Sequence, residues 1–464
     1  MRQVYSPLLI LAAGCLLSFF SMATLHIRSE EPTEVSSRHR FADFGFMPPS
    51  SDYDGRVFNL RQDYPHDPPS EEAIPEFCRN EFAQVKSDWK KFMQDVRAYC
   101  FAANIYGGDV ESDFDIKGAN QHWYHMPWQH WGPSGREGIH GLTKEAPVLP
   151  RQLAWTQTYT GGQTYAVAFY NEFGGHTIWQ VWKDPDNPQK GINKIAFPGG
   201  TVIFKLLFTD VPVKQVPFLD PPLQWQAYIT KDFASTDRSI RKVSLIQMDI
   251  MVRHKHAPLG WVFGTYQYNG KMNRKNLWEN LIPVGLQWGN DPENADNSSN
   301  PQPVATVINP RLQETVINPD AKELPPTHLG WNGRLNGPVD NPMSSCISCH
   351  MTAETPQRSE ISPLFEKNPP EPGSKEWMRW FQNLGCGERF DKHSMSTDSS
   401  LQLAISLQNY RAWYNQKWKM RASQYRTNKE LAEIVEEKSK MAHPLMTTDA
   451  DSPEVEIRRS YPPN

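Results

Sequence analysis

The apolar residues of this chain follow two different periods. Between residues 82 and 100 they recur at spacings of three and four, which predicts one amphipathic helix. The apolar stripe of this helix consists of Phe82, Val85, Trp89, Phe92, Val96 and Cys100. From about residue 120 the period becomes two. Ile246, Met248 and Ile250 share one face of a predicted strand, while Gln247 and Asp249 point to the other face.

Four further stretches have the composition of strands. QTYAVAFYN, HTIWQVW, TVIFKLLFT and GWVFGTYQYNG are rich in β-branched and aromatic residues and are bounded by Gly, Pro, Asn or Asp. Short strands with turns between them predict an antiparallel β-sandwich or barrel-like domain over about residues 150–290. Residues 289–344 are rich in Pro, Asn and Gly and predict a long connection. Because helices precede and follow this domain, the fold class that we expect is α+β.

The pattern becomes helical again towards the C-terminus. The segment GSKEWMRWFQNLG predicts a helix that begins after Ser374 and ends before Gly385. The side chains that share its apolar side are Trp377, Met378, Phe381 and Leu384. A second helix follows Asp398, with an apolar face formed by Leu403, Leu407, Tyr410, Tyr414 and Trp418. Residues 426–464 are charged and predict a disordered tail.

An apolar run near the N-terminus bears on the location of the protein. SPLLILAAGCLLSFFSMATLHI follows the first residues, and the acidic RSEEPTE comes after it. This arrangement predicts a secretory signal that is cleaved after Ala23. The run is also long enough for a retained membrane anchor, and LAAGC resembles a lipoprotein cleavage box that ends at Cys15. We therefore expect a protein of the periplasm or of the outer face of the cytoplasmic membrane.

Composition narrows the class of protein. The chain has 464 residues, a formal net charge of −4 and 22% charged residues, which fits a globular protein and does not predict nucleic-acid binding. Its 39 prolines predict short strands and irregular connections. Six cysteines are present, and the disulfide easiest to form would join Cys78 to Cys100 around the predicted helix.

Cys346-Ile347-Ser348-Cys349-His350 is the motif that carries specific chemistry. A C-x-x-C-H sequence should occur by chance in about two of a thousand such chains, so chance can be set aside. Two thiols three residues apart lie on one helical face, where they can add across the two vinyl groups of a porphyrin. The histidine one turn after the first thiol can then ligate the iron. The sequence has no second C-x-x-C, which a zinc site would need, and the Pro-rich surroundings do not predict the βαβ context of a redox dithiol.

The CISCH segment resembles the haem attachment site of the cytochrome c superfamily. The whole chain is similar to exported bacterial cytochrome c family proteins, in which a long β-rich region precedes a single haem segment. The resemblance proper covers about residues 340–420, and its specific part is the motif itself. It implies one covalent haem c bound to Cys346 and Cys349, axial ligation by His350, and electron transfer to or from a redox partner protein.

We divide the chain accordingly. We expect residues 1–23 to be a signal peptide or anchor, 24–75 an extended Pro-rich segment, 76–335 a helix plus a β-rich domain, 336–425 a mainly helical c-type haem segment, and 426–464 a charged C-terminal tail.

The second axial ligand of the iron would decide between an electron carrier and a catalyst. Met378, in the aromatic helix EWMRWF, and Met395, in the loop FDKHSMSTD, are the candidates, and His393 lies in the same loop. We favour Met378 slightly over Met395. Packing in the core is the alternative role of Met378, and plain surface is the alternative for the loop residues.

A second concentration of polar chemistry is QHWYHMPWQHWGPSGREGIHG, which holds His122, His125, His130 and His140. Alternation of histidines with aromatic residues predicts a packed loop with hydrogen-bonded histidines. The alternative is that the loop covers the haem edge or forms a substrate pocket, with Arg136 paired to a haem propionate or another anion. His254 and His256 follow a predicted strand and are expected to face solvent.

The function that we expect is single-electron transfer by an exported monohaem c-type cytochrome. The alternatives are a haem c-containing oxidoreductase whose β-rich domain binds a small-molecule substrate, and a haem-based sensor or structural subunit of a redox complex. The sequence contains no nucleotide-binding fingerprint and no nucleophile elbow that would favour another enzyme class.

Overall fold

In the computed structural model, the described residues are 41, 45–55, 57–58, 60–102, 123–130, 136–148, 150–153, 162–230, 237–295, 308–320, 323–325 and 327–424. All of them belong to one compact unit that spans residues 40–464. The predicted signal or anchor, the C-terminal tail and His122 lie outside the described residues.

An eight-stranded antiparallel sheet organises the molecule and confirms the α+β class. Its strands are β1 (Thr143–Val148), β2 (Gly162–Tyr170), β3 (Val202–Thr209), β4 (Gln224–Thr230), β5 (Arg238–Arg253), β6 (Trp261–Tyr268), β7 (Leu281–Gln287) and β8 (Thr315–Ile317). The order is β1-β2-β3-β5-β6-β7-β8, with β4 paired to the first half of the long β5. Because β1 and β8 end this path and do not pair with each other, the sheet does not close into a barrel.

A second, two-stranded sheet joins β9 (Glu354–Thr355) to β10 (Met395–Ser396). The helices are α1 (Phe82–Ser87), α2 (Trp89–Phe101), α3 (Pro150–Leu153), α4 (Glu172–Trp182), α5 (Cys346–His350), α6 (Lys375–Met378) and α7 (Leu401–Gln424). Short 3-10 helices occupy Glu71–Ala73, Glu76–Cys78, Val213–Gln215, Pro217–Leu219, Gly270–Met272, Leu277–Asn280, Trp331–Gly333, Pro363–Phe365 and Arg379–Phe381.

The two faces of the large sheet bury different hydrophobic clusters. Met248 and Ile250 of β5 pack with residues of α1 and α2 on one face, as the two-residue period predicts. Met251 and Phe263 face the other way and pack with α4, α7 and Ile347 of the CISCH motif. The motif therefore lies on the face of the sheet opposite α1 and α2.

Two predicted elements differ in the structure. The helix predicted between residues 82 and 100 is two helices, because Asp88 at φ −122° and ψ 47° interrupts it. The stretch HTIWQVW, predicted as a strand, lies inside α4. Asn171 caps this helix by accepting a hydrogen bond from the Gly174 backbone N–H at 3.3 Å. The helix is buried on most sides, so its apolar residues are almost continuous and hide the helical period.

Other predictions about the helices and connections have mixed outcomes. Ser374 caps α6 as predicted, by accepting a hydrogen bond from the Trp377 backbone N–H at 3.1 Å. The helical conformation there ends at Phe381, before the predicted stop at Gly385. Four of the predicted apolar residues of α7 are buried: Leu403, Leu407, Tyr410 and Tyr414. Strand β8 lies in the segment predicted as a connection.

Two predictions about individual side chains are wrong. Cys78 is a buried free thiol, so the disulfide to Cys100 is not formed. His254 is completely buried against Phe82 and Phe92, because the strand carries it under the helices, whereas His256 is exposed as predicted.

Candidate functional site

The motif Cys346–His350 forms its own short helix, α5. A capping box begins it: the Ser345 hydroxyl accepts a hydrogen bond from the Ser348 backbone N–H at 3.0 Å, and the Ser348 hydroxyl accepts one from the Ser345 N–H at 2.6 Å. Ser345 also donates to the Asn290 side-chain oxygen at 2.7 Å. These bonds satisfy N–H groups that a five-residue helix cannot satisfy internally, so the local sequence is sufficient to begin the helix.

The start of α5 is attached to the end of strand β7. The Ile347 backbone N–H donates to the Gln287 side-chain oxygen at 3.3 Å, and the Cys346 N–H donates to the Leu335 carbonyl at 3.0 Å. The Ile347 side chain is buried on the sheet face. The helix is therefore held rigidly against the sheet while its other face carries the two thiols and the imidazole.

His350 is oriented by a residue far along the chain. Its Nδ1 lies 2.8 Å from the carbonyl oxygen of Ser399, 49 residues away. A carbonyl can only accept, so Nδ1 carries the proton and Nε2 keeps its lone pair. Burial lowers the pKa of His350 to about 4, and the ring is neutral at pH 7. The imidazole therefore has the protonation state and the tautomer that a metal ligand needs.

The two motif thiols are free and reduced. Burial raises the pKa of Cys349 to about 11 and the pKa of Cys346 well above its ordinary value, so both are thiols at neutral pH. Redox dithiols and zinc ligands depend on thiolates, which this environment disfavours. Positions 346, 349 and 350 are spaced so that all three side chains share one helical face.

A polar group on the sheet lies beside the motif thiols. Gln247 donates from its side-chain nitrogen to Asp249 at 2.8 Å and to Asp340 at 3.1 Å, so the two carboxyl groups lie within about 6 Å of each other. We call Asp249 and Asp340 the carboxyl pair. The negative charge of both acts on the pKa of Cys346. Thr265 adds a hydrogen bond to Asp249 at 2.7 Å.

The carboxyl pair and the motif form a group of partly accessible side chains. Burial is the largest influence on the pKa of Cys346, Cys349, His350 and Asp249, yet each of these side chains keeps part of its surface accessible. Lys205 on β3 belongs to the same group. Burial would lower its pKa, but the carboxylates of Glu145, Asp249 and Asp340 raise it overall.

The candidate sixth ligands lie in different clusters. Met378 packs against an aromatic cluster that contains Trp331, Trp377 and Phe381. Met395 packs against the cluster that contains Ile347, the motif residue on the sheet face. His393 is exposed, in a turn with φ 67°.

Arg136 and the nearby histidines are engaged in the fold. Arg136 is buried and donates to the carbonyl oxygens of Met126 at 2.8 Å and Gly141 at 3.3 Å. His125 is buried with its Nδ1 3.1 Å from the Ala168 carbonyl, and His140 stacks on Trp225 with ring centroids 4.5 Å apart. The contacts of Arg136, His125 and His140 are typical of a packed aromatic loop.

His130 is part-buried, with its Nε2 3.2 Å from the Lys144 carbonyl. No sequence signal selects Lys205, Gln247, Asp340 or Ser399, since each is an ordinary polar residue in a strand or turn. Only the strand period, which points Gln247 and Asp249 away from the α1–α2 face, indicated that this side of β5 is polar.

The donor set fits covalent haem better than the alternatives. Two accessible thiols and a neutral, oriented imidazole occupy one helical face, as thioether attachment with axial ligation requires. Over the described ranges, no three His, Cys, Asp or Glu side chains are grouped so as to bind a metal ion directly. The sheet beneath the motif is antiparallel, unlike the βαβ setting of thioredoxin-like dithiols.

Comparisons with known proteins found no match: no family model, no curated protein and no solved structure resembles the chain. Among the helices that the structure describes, none is both long and apolar enough to cross a membrane.

Proposed function

We propose that this protein is an exported monohaem c-type cytochrome that transfers single electrons through a covalently bound haem. The observation that carries the proposal is the His350–Ser399 hydrogen bond, which holds the proton on Nδ1 and leaves the Nε2 lone pair free to bind iron. Two accessible thiols lie on the same helical face. When bound, the haem would supply an iron that gains and loses one electron. The resemblance of the CISCH segment to cytochrome c attachment sites supports the same function.

The residues of the motif have distinct roles in this proposal. Cys346 and Cys349 would form the two thioether bonds, and His350 would be the axial ligand. We favour Met395 over Met378 for the second axial position, because Met395 packs against the same cluster as the motif thiol of Cys346, whereas Met378 packs among tryptophans. Arg136 would contact a propionate only by exchanging part of its present backbone hydrogen bonds.

The large sheet would shape the haem site and present a surface to the redox partner protein. Residues 76–335 would form this β-rich part, and 336–425 the mainly helical haem segment. The predicted N-terminal signal or anchor supports a location in the periplasm or on the outer face of the cytoplasmic membrane, the side on which c-type haem is attached.

One observation favours an oxidoreductase as the second candidate. The carboxyl pair and Lys205 provide partly accessible acid–base groups next to the motif. An electron carrier does not need such groups, whereas turnover of a small molecule does. A haem-based sensor would share the same site and differ in how readily an external ligand binds the iron.

Expression of the full chain in a host that attaches haem c tests the proposal. The wild-type protein should retain haem after denaturation, and Cys346→Ser or Cys349→Ser should each leave only one thioether or none. The matched control is Cys386→Ser, because Cys386 is also a partly accessible free thiol but lies outside the motif. Absence of covalent haem in the wild-type protein would overturn the proposal.

Carbon monoxide separates the carrier from its rivals. A reduced spectrum that does not change with carbon monoxide indicates a six-coordinate electron carrier. Met395→Ala should then open the iron to carbon monoxide, and Met378→Ala should not. Binding of carbon monoxide by the wild-type protein would favour the oxidoreductase or the sensor.

A further inference from the structure

The carbonyl group that orients His350 lies in a turn with unusual backbone geometry. Asp398 and Ser399 are consecutive residues with φ 52° and φ 64°, in the left-handed region that L-residues other than glycine rarely adopt. Two such residues in a row are unfavourable unless the surrounding structure holds them. The turn is therefore maintained by its contacts.

The contacts converge on the Asp398 carboxylate, which is completely buried. One oxygen accepts a hydrogen bond from the Phe197 backbone N–H at 2.7 Å. The other accepts from the Gly387 backbone N–H at 2.9 Å and from the Trp261 indole N–H at 3.3 Å. These donors belong to three separate segments of the chain, so the carboxylate ties the turn to all three.

Further bonds connect the same turn to the motif and to α7. The Thr397 backbone N–H donates to the carbonyl of Ala353, three residues after His350, at 2.9 Å. The Ser400 hydroxyl accepts from the Leu403 N–H at 3.2 Å and so caps α7. The Ser399 carbonyl is thus fixed from both sides, and the Asp398 carboxylate supplies its connection to the sheet.

We propose that Asp398 is a positioning residue for His350: its buried carboxylate holds the Asp398–Ser399 turn so that the Ser399 carbonyl accepts the His350 Nδ1 proton. This inference rests on the proposed role of His350 as an axial ligand. The carboxylate does not contact the imidazole; it acts through the backbone carbonyl next to it. A strong acceptor at Nδ1 fixes the tautomer and makes Nε2 a better donor to iron.

Asp398→Asn is the direct test, because asparagine keeps the size of the side chain and replaces one accepting oxygen by an NH2 group. That group would face N–H donors and could not accept from them. In the full-length, haem-free protein, nitrogen NMR of the His350 ring should show the Nδ1–H tautomer in the wild type and a mixture of tautomers in the variant. This readout does not depend on haem.

The haem-loaded protein provides the second readout. A weaker Nδ1 hydrogen bond favours ferrous over ferric iron, so the midpoint potential of Asp398→Asn should rise. A tenfold change in relative affinity corresponds to about 59 mV for a one-electron couple. Trp261→Phe removes a single donor to the carboxylate and should shift both readouts in the same direction by less. It also keeps the test valid if Asp398→Asn does not fold.

Asp291→Asn is the matched control. Asp291 is also a buried aspartate with positive φ (47°), and it accepts backbone hydrogen bonds from Gln313 and Glu314. Its variant should lose stability but keep the His350 tautomer and the midpoint potential. If Asp398→Asn also loses only stability, Asp398 is a structural residue and the inference is wrong. Absence of covalent haem with a changed tautomer would instead refute the proposed function alone.

Discussion

The carboxyl pair makes a sharp prediction about stability and pH. Burial, followed by the charge of Asp340, raises the pKa of Asp249 from 3.8 to about 7 in the folded protein. Below pH 4 the carboxyl group is protonated in both the folded and the unfolded chain. Between about pH 4 and 7 the unfolded chain loses this proton and the folded chain keeps it. The free energy of unfolding therefore falls as pH rises through this window and levels off above it.

Substitution of Asp249 by Asn removes this contribution, because an amide does not ionise. One pKa unit corresponds to about 1.4 kcal/mol, so the raised pKa of Asp249 amounts to a loss on the order of a few kcal/mol by pH 8. The variant should therefore gain stability relative to the wild type as pH rises from 4 to 8. Hydrogen bonds from Thr265 and Gln247 can still be accepted by the amide oxygen.

Urea unfolding followed by tryptophan fluorescence at a series of pH values measures this difference. The control is Asp54→Asn, which makes the same substitution at an exposed aspartate. If the Asp249→Asn curve runs parallel to the wild-type curve between pH 4 and 8, the folded-state pKa is not raised and the electrostatic account of the carboxyl pair is wrong.

Three further substitutions test other parts of the site. Ser345→Ala removes the cap of α5 and should cost about 1 kcal/mol of unfolding free energy, measured in urea. Arg334→Lys should cost about 3 kcal/mol or more, because the buried guanidinium donates to four backbone carbonyls and an ammonium cannot reach them all. Glu354→Gln should flatten the loss of stability between about pH 4.5 and 8, since burial and Asp391 raise the pKa of Glu354 to about 8 and the folded state keeps a proton that the unfolded chain loses in this range.

Each of these has a result that would contradict it. An unchanged urea midpoint for Ser345→Ala would mean that tertiary contacts alone hold the motif helix. A neutral Arg334→Lys would mean that water replaces the missing donors. A Glu354→Gln variant whose stability falls as steeply as that of the wild type between pH 4.5 and 8 would assign that fall to another group.

The predictions that the structure confirms depend mostly on residues that are close together along the chain. The period of two in β5 depends only on alternation of side chains across a strand, and the structure confirms it. The chemistry proposed for the haem motif depends on five consecutive residues, so it could be inferred without the fold. The caps of α5 and α6 are likewise formed by residues within one turn of each helix.

Predictions failed for segments that are buried on all sides, because such segments have no polar face and their sequence shows no amphipathic period. The apolar residues of helix α4 predict a strand, because they face protein in nearly every direction and leave no helical period in the sequence. His254 was expected at the surface because the sequence does not show that α1 and α2 cover the end of β5. Both errors concern neighbours that are distant along the chain.

The sequence by itself therefore determined the α+β class and most of the strands, and it was sufficient to propose the chemistry of the motif. Tertiary structure alone decided what surrounds that motif. Asp249 and Asp340 are 91 residues apart along the chain, yet both accept hydrogen bonds from the Gln247 side chain. His350 donates its Nδ1 proton to a backbone carbonyl in the strained turn after β10. The C-x-x-C-H spacing describes side chains on one helix. The orientation, pKa and tautomer of those side chains depend on groups that only the folded chain brings next to them.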